Sequence, residues 1–300
     1  MNRRRFLQQV SKGVAILSVS PSILASAKAQ RRIQIGAQTN TFGSPIKSYD
    51  HLLEVLDDLV QLGYEGFETS DASLKDQAGR AKECRSAFEA RHIQYIAPHC
   101  SLKFNTTIAP SAQVEDLRHI GGYSAEMGAK YLIASGGYPR NSAESMPVEK
   151  KAQLLNQVGK ACREEGLKFC YHNHTHEFEG DHPDMNVLLA QTDPKVVWFN
   201  YDVGNAYPIG PKPGDFSAEH FRRILIYHIK DVTLDSSGKN VATDLGKGKI
   251  DLKAVIAPLL HSNWHGWLTV EREAGYPNPA PNPEALLKQC RTYLREISGI

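Results

Sequence analysis

Short runs in which apolar and polar residues alternate recur along this chain, separated by stretches whose apolar positions repeat every three or four residues. The first such run, Arg32-Ile33-Gln34-Ile35-Gly36-Ala37-Gln38, predicts a strand. Helical spacing follows from Tyr49 to Leu62, where Leu52, Leu53, Leu56, Leu59 and Val60 form one stripe and Gly63 stands where a helix end favours positive φ. Tyr64 to Thr69 predicts a second strand, followed by a helix to about Arg91, and Ile93 to His99 a third.

The alternation then repeats. Helices are predicted at Ser111 to Met127, Pro147 to Glu165, Asp184 to Gln191, Asp215 to Arg223, Leu252 to Leu260 and Glu284 to Ile297. Strands are predicted at Lys130 to Ser135, Leu167 to Tyr171, Val196 to Asp202, Leu225 to Lys230 and Trp267 to Glu271. Eight strands alternating with eight helices predict a single-domain (β/α)8 TIM barrel, an α/β fold that normally takes about 250 residues. An open doubly wound sheet is disfavoured, because Gln38-Thr39-Asn40-Thr41 stands where a glycine-rich phosphate loop would follow the first strand. The Pro-rich stretch from Tyr276 to Pro283 reads as a rim loop and not a domain boundary.

The N-terminus changes the picture of location. Arg3-Arg4-Arg5-Phe6-Leu7 precedes a mildly apolar run from Val14 to Leu24 and then small-x-small sites at Ala25-Ser26-Ala27 and Ala27-Lys28-Ala29. This resembles a twin-arginine export signal over residues 1–29, which leaves a barrel over 30–300 and predicts a periplasmic or otherwise exported protein. The rest of the chain has no uninterrupted apolar run long enough to span a membrane. A net charge of +2, part of it in the first residues, leaves no basic footprint for nucleic acid. The five cysteines are odd in number and widely spaced, so they form no disulfide framework.

Candidate chemistry concentrates in Tyr171-His172-Asn173-His174-Thr175-His176-Glu177-Phe178-Glu179, with three imidazoles and two carboxylates. Strand alternation aims His172 and His174 to one side, and converging neutral imidazoles suit a divalent metal. In a barrel, active sites are built at the C-terminal ends of the strands. Those ends carry Glu68, His99, His172 and His174, Asp202, His228 and Lys230, and Glu271. Such groups are costly to bury unless they ligate a metal or pair with one another.

In these residues the chain resembles the xylose isomerase-like barrel superfamily of sugar phosphate isomerases and epimerases. The matching pieces are Gly63-Tyr64-Glu65-Gly66-Phe67-Glu68, Tyr171-His172-Asn173-His174 with Glu177-Phe178, Asp202-Val203-Gly204-Asn205, His228-Ile229-Lys230-Asp231, Gly246-Lys247-Gly248-Lys249-Ile250-Asp251 and Val270-Glu271. The resemblance implies one divalent metal held by His172, Asp202, His228 and Glu271. Two imidazole donors favour manganese, cobalt or zinc, with magnesium also open. The chain departs from the family pattern at His172, where Glu is usual and serves as both ligand and base, and at Asn205, where His is frequent.

The expected reaction is proton abstraction next to a carbonyl, giving isomerisation, epimerisation or loss of a β-substituent. Candidate bases are Glu271 and Glu68; candidate acids are His99, His174 and Lys230. Export favours an unphosphorylated sugar, inosose or 3-oxo-glycoside over a sugar phosphate. Two alternatives stay open: a non-catalytic sugar-binding protein on the same barrel, and a metal-dependent phosphodiesterase, disfavoured by the near-neutral body. A homo-oligomer is compatible with the sequence.

Overall fold

Each apolar run becomes a strand with one face turned into a barrel. The computed structural model describes residues 33–137, 145–180, 183–207, 209–236, 240–272 and 279–300. The export signal and the Tyr276 to Asn278 part of the rim loop lie outside the described residues. In chain order the elements are β1 (Ile33–Gln38), α1 (Tyr49–Gln61), β2 (Gly66–Ser70), α2 (Ala81–Ala90), β3 (Gln94–Lys103), α3 (Pro110–Glu126), β4 (Tyr131–Gly137), α4 (Val148–Glu164) and β5 (Lys168–His172). They continue with α5 (Asp184–Gln191), β6 (Val197–Asp202), α6 (Val203–Ala206), α7 (Pro213–His220), β7 (Ile224–Ile229), β8 (Asp231–Leu234), β9 (Asn240–Thr243), α8 (Leu252–Leu260), β10 (Gly266–Val270) and α9 (Pro283–Ser298).

Eight of these strands form a closed barrel in the order β1-β10-β7-β6-β5-β4-β3-β2, every neighbouring pair parallel. The predicted (β/α)8 barrel is therefore the fold. Gly63, with φ of +83°, ends α1 as its position predicted. Among the described residues no helix is long and apolar enough to cross a membrane.

Three local expectations differ. The third strand does not stop at His99: it runs on to Lys103 because β4 continues to pair with it as far as Lys103↔Gly137. The segment after β2 begins with two 3₁₀ turns, Asp71–Ser73 and Lys75–Arg80, before α2 starts. An unforeseen antiparallel pair, β8 with β9, follows β7 in the register Asp231↔Thr243 to Leu234↔Asn240. The carboxylate of Asp231 organises what comes next. Its Oδ1 accepts from the backbone N–H of Val232 and Ile250, and its Oδ2 from those of Gly246 and Gly248, so the Gly-Lys-Gly-Lys-Ile loop folds around one buried anion.

Strand alternation sorts the barrel interior by depth. Ile96, Ala97, Ile133, Cys170, Ile226 and Trp267 form a separate buried apolar cluster, while the larger core lies mostly between sheet and helices. Two residues further along the same strands come His99, Ser135, His172, His228 and Thr269, and the next steps on β7 and β10 are Lys230 and Glu271. The apolar layer closes the barrel below; the polar layers face its C-terminal mouth.

Candidate metal and active site

The end of β5 is tied to β6 before any functional side chain is placed. Asn173 accepts the backbone N–H of Asp202 at 2.9 Å and donates its own amide to the Asp202 carbonyl at 3.1 Å. Its carbonyl in turn accepts the Asn205 side-chain amide at 3.2 Å. His174 then leaves the strand and precedes a 3₁₀ turn, Thr175–Phe178, yet its ring centroid stays 5.1 Å from that of His172. Glu177 holds this turn: one oxygen accepts the Tyr171 hydroxyl at 2.6 Å and the other the His174 backbone N–H at 2.7 Å. Glu177 thus belongs with His174 and His176 and does not stand in for the missing strand-five carboxylate.

His172, Asp202, His228 and Glu271 are all buried, and each offers a ligand atom within 4.8 Å of the others. Register makes this possible: Asp202 is the direct neighbour of His228 across β6 and β7. Each carboxylate is anchored by one oxygen, Asp202 Oδ1 by the Asn205 backbone N–H at 2.7 Å and Glu271 Oε1 by the Asn40 amide at 2.8 Å. Glu271 Oε2 lies 2.6 Å from His228 Nδ1, and Asp202 Oδ2 lies 3.9 Å from both His228 Nδ1 and His172 Nε2. The Lys230 ammonium stands between the two acids, 2.9 Å from Asp202 Oδ2 and 3.0 Å from Glu271 Oε2. These outer hydrogen bonds orient the donors.

The charge states follow from these contacts. Burial, reinforced by the neighbouring imidazoles, drives His172 well below the usual histidine range, so it is neutral. Burial also lowers His174, to about 4. For His228 burial acts downward, but the Glu68 and Glu271 carboxylates outweigh it and raise the group to about 10. Burial raises Asp202 to about 6 against the pull of Lys230. Glu271 is held well below the carboxylate range because Lys230 and His228 overcome its burial.

These residues fit a divalent cation. His172 is neutral, with a buried Nδ1 that has no hydrogen-bond partner, and Nε2 faces the acids. Each carboxylate keeps one oxygen directed to the common centre, where Lys230 and a protonated His228 now supply positive charge. Two imidazoles and two carboxylates form a donor set suited to transition metals.

A cavity of about 180 Å³ opens beside the cluster. His99, His172, His174 and Glu271 line it together with Gln38, Asn40, Ser70, Asp71, Ser101 and Ser135, and among the described residues its lining holds neither Arg nor Lys. Glu68, expected at the mouth, is not on this wall. It is fully buried, one oxygen 2.8 Å from His99 Nδ1 and the other 2.7 Å from His228 Nε2. Lys230 is likewise buried against the acids. Sequence reasoning did not single out Asn40, Asn200, Ser101 or Ser135; their signal is only their place near strand ends, visible once register is known.

A closed barrel with a buried imidazole-carboxylate cluster beside a hydroxyl- and amide-lined cavity defines the class: a TIM barrel with a metal-type polar site at its mouth. The chain belongs to the xylose isomerase-like TIM barrel family, whose model matches residues 56–297. It is 29% identical over 275 residues to the inosose dehydratase of Geobacillus thermodenitrificans, covering 82% of this chain and 90% of that one. It is 25% identical to the inosose dehydratase of Clostridium tetani with the same coverage. Among solved structures it resembles an L-ribulose 3-epimerase, with a TM-score of 0.70 at 15% identity, covering 89% of this chain and 95% of that one. It also resembles the IOLI protein solved with a zinc atom bound, with a TM-score of 0.67 at 17% identity, covering 89% and 98%. The protein is accordingly an enzyme of the isomerase/epimerase or dehydratase kind.

Proposed function

We propose that this enzyme removes a proton next to the carbonyl of an unphosphorylated inosose or related sugar and expels the β-hydroxyl, a dehydration. The observation that carries the substrate class is the cavity wall: hydroxyls, amides and imidazoles beside the metal-type cluster, with no Arg or Lys among the described residues to meet a phosphate. The relatives named inosose dehydratase, aligned over most of this chain, favour dehydration over epimerisation.

His172, Asp202, His228 and Glu271 would hold one divalent ion, with manganese, cobalt or zinc preferred to magnesium for two imidazole donors. When bound, it would supply Lewis acidity towards a carbonyl. The chain's own residues do the rest. Among the described residues His99 and His174 are the two imidazoles on the wall outside the donor set, and they carry the proton to and from substrate. His174 is neutral at pH 7; with a pKa of about 4 it is no weaker a base than an ordinary carboxylate. Ser70, Ser101, Ser135 and Asp71 offer hydrogen bonds to ring hydroxyls. Lys230 sets its ammonium against the metal-facing oxygens of the two acids. Export by the N-terminal arginine signal would place this reaction in the periplasm.

The test combines elemental analysis with turnover in deuterated water on a panel of inososes, ketoses and 3-oxo-glucosides. One bound metal per chain, lost in the His228→Ala/Asp202→Ala double variant, together with release of water from an inosose, is expected. Conversion with neither deuterium incorporation nor loss of a hydroxyl would end the proton-abstraction reading. Bound metal with no substrate converted would favour a sugar-binding protein.

A further inference from the structure

We propose that Glu68 is a positioning residue that fixes two histidines at once, turning the Nδ1 lone pair of His228 into the metal cluster and the Nε2 lone pair of His99 into the substrate cavity. This rests on the functional reading above and adds to it a direction for the proton. Glu68 sits in β2, one strand pair away from His99 in β3 and across the barrel interior from His228 in β7. It is 0% exposed and absent from the cavity wall, so substrate does not reach it.

Both of its oxygens are committed, at 2.8 Å to His99 Nδ1 and at 2.7 Å to His228 Nε2. Each oxygen stands at hydrogen-bond distance from a different ring nitrogen, the geometry of a carboxylate that accepts two N–H bonds. An ionised carboxylate only accepts. Each facing nitrogen therefore carries the hydrogen, so that the opposite nitrogen is the one that becomes the acceptor when the ring is neutral. For His228, whose Nδ1 also donates to Glu271 Oε2 at 2.6 Å in the metal-free chain, Nδ1 is the nitrogen freed when a metal takes that proton's place, on the side of Glu271 and Asp202. For His99 it is Nε2, 3.2 Å from Ser135 Oγ at the cavity wall.

The assignment requires the Asn200 amide to be turned over. Its amide nitrogen stands 2.9 Å from His228 Nε2 while its Oδ1 has no partner, and a half-turn of the amide gives the Nε2–H a second acceptor and satisfies that oxygen. The arrangement is the carboxylate–imidazole pairing that in other enzymes fixes a tautomer and leaves the far nitrogen to act. Here one carboxylate serves two rings with different tasks. His99 becomes the proton acceptor on the wall and the neutral His174 its hydrogen-bonding counterpart.

Nitrogen-15 NMR of histidine-labelled, zinc-loaded protein tests this without any variant. Neutral His99 should carry its proton on Nδ1, and His228 should show a protonated Nε2 with Nδ1 on the metal; the opposite tautomer at either ring overturns the proposal. Glu68→Gln, checked for folding by circular dichroism, supplies the second readout. Zinc affinity, measured by chelator competition, should fall about 10- to 100-fold, and a folded variant that binds within about threefold of wild type refutes the proposal. His99→Asn keeps the Glu68–His228 bond, so it should lower turnover and leave zinc affinity within that same threefold margin of about one. A comparable loss of affinity in His99→Asn would show that Glu68 does not act on His228 directly. Failure of the wild-type enzyme to turn over any inosose would strike the functional reading, whereas the tautomers and zinc affinities would stand or fall separately.

Discussion

Lys230 holds its Nζ 2.9 Å from Oδ2 of Asp202, so a cation already lies against an acid that a metal ion would use. The ammonium and the metal must share the charge of the two buried carboxylates. Lys230→Met removes the internal competitor and should leave metal affinity equal or higher than in the wild type. Turnover should nevertheless fall, by about 10²- to 10⁴-fold if the ammonium also assists proton transfer. Isothermal titration with cobalt beside steady-state kinetics separates the two effects; weaker cobalt binding would mean that Lys230 supports the site instead of competing for it.

The folded metal-free protein should lose stability in alkali. His228 is raised to about 10 from an unfolded value of about 6.5, so its contribution is fully present below pH 6.5 and disappears as pH rises through 10. Loading a metal displaces that proton. Thermal melts from pH 7 to 10 should therefore show a falling Tm for the metal-free protein and a flatter profile for the loaded one. Parallel profiles would contradict the charge state assigned to His228.

Asp231 should matter for stability more than its neighbour in sequence suggests. Asp231→Ala strips the acceptor from four backbone N–H groups in and beside the Gly246 to Ile250 loop. If partial access to water limits the cost to about 3 kcal/mol, the Tm falls by roughly 6–12 °C. Differential scanning calorimetry gives the value, and an unchanged Tm would show that the loop holds itself.

The export reading predicts that replacing Arg3 and Arg4 by Lys leaves the precursor in the cytoplasm. Cell fractionation and the N-terminal mass of the accumulated protein measure it. Normal processing of that variant would refute the twin-arginine assignment.

What the sequence determined by itself was the periodicity and the inventory. Period-two runs joined by helical stretches and glycine stops are local signals, set by backbone geometry, and they were enough for a (β/α)8 barrel and for the polar groups at its strand ends. The chain could not show which strand-end groups face one another, because that depends on register across a closed sheet. Asp202 beside His228, and Glu68 reaching both His99 and His228, are pairings between residues 26 to 160 positions apart, fixed only when the barrel closes. Tertiary structure also decided which acids meet substrate: Glu68 and Glu271 look alike in sequence, yet only Glu271 reaches the cavity wall. The difference is one of depth within the barrel, where a carboxylate surrounded by imidazoles orients them, and one at the rim is left to the ligand.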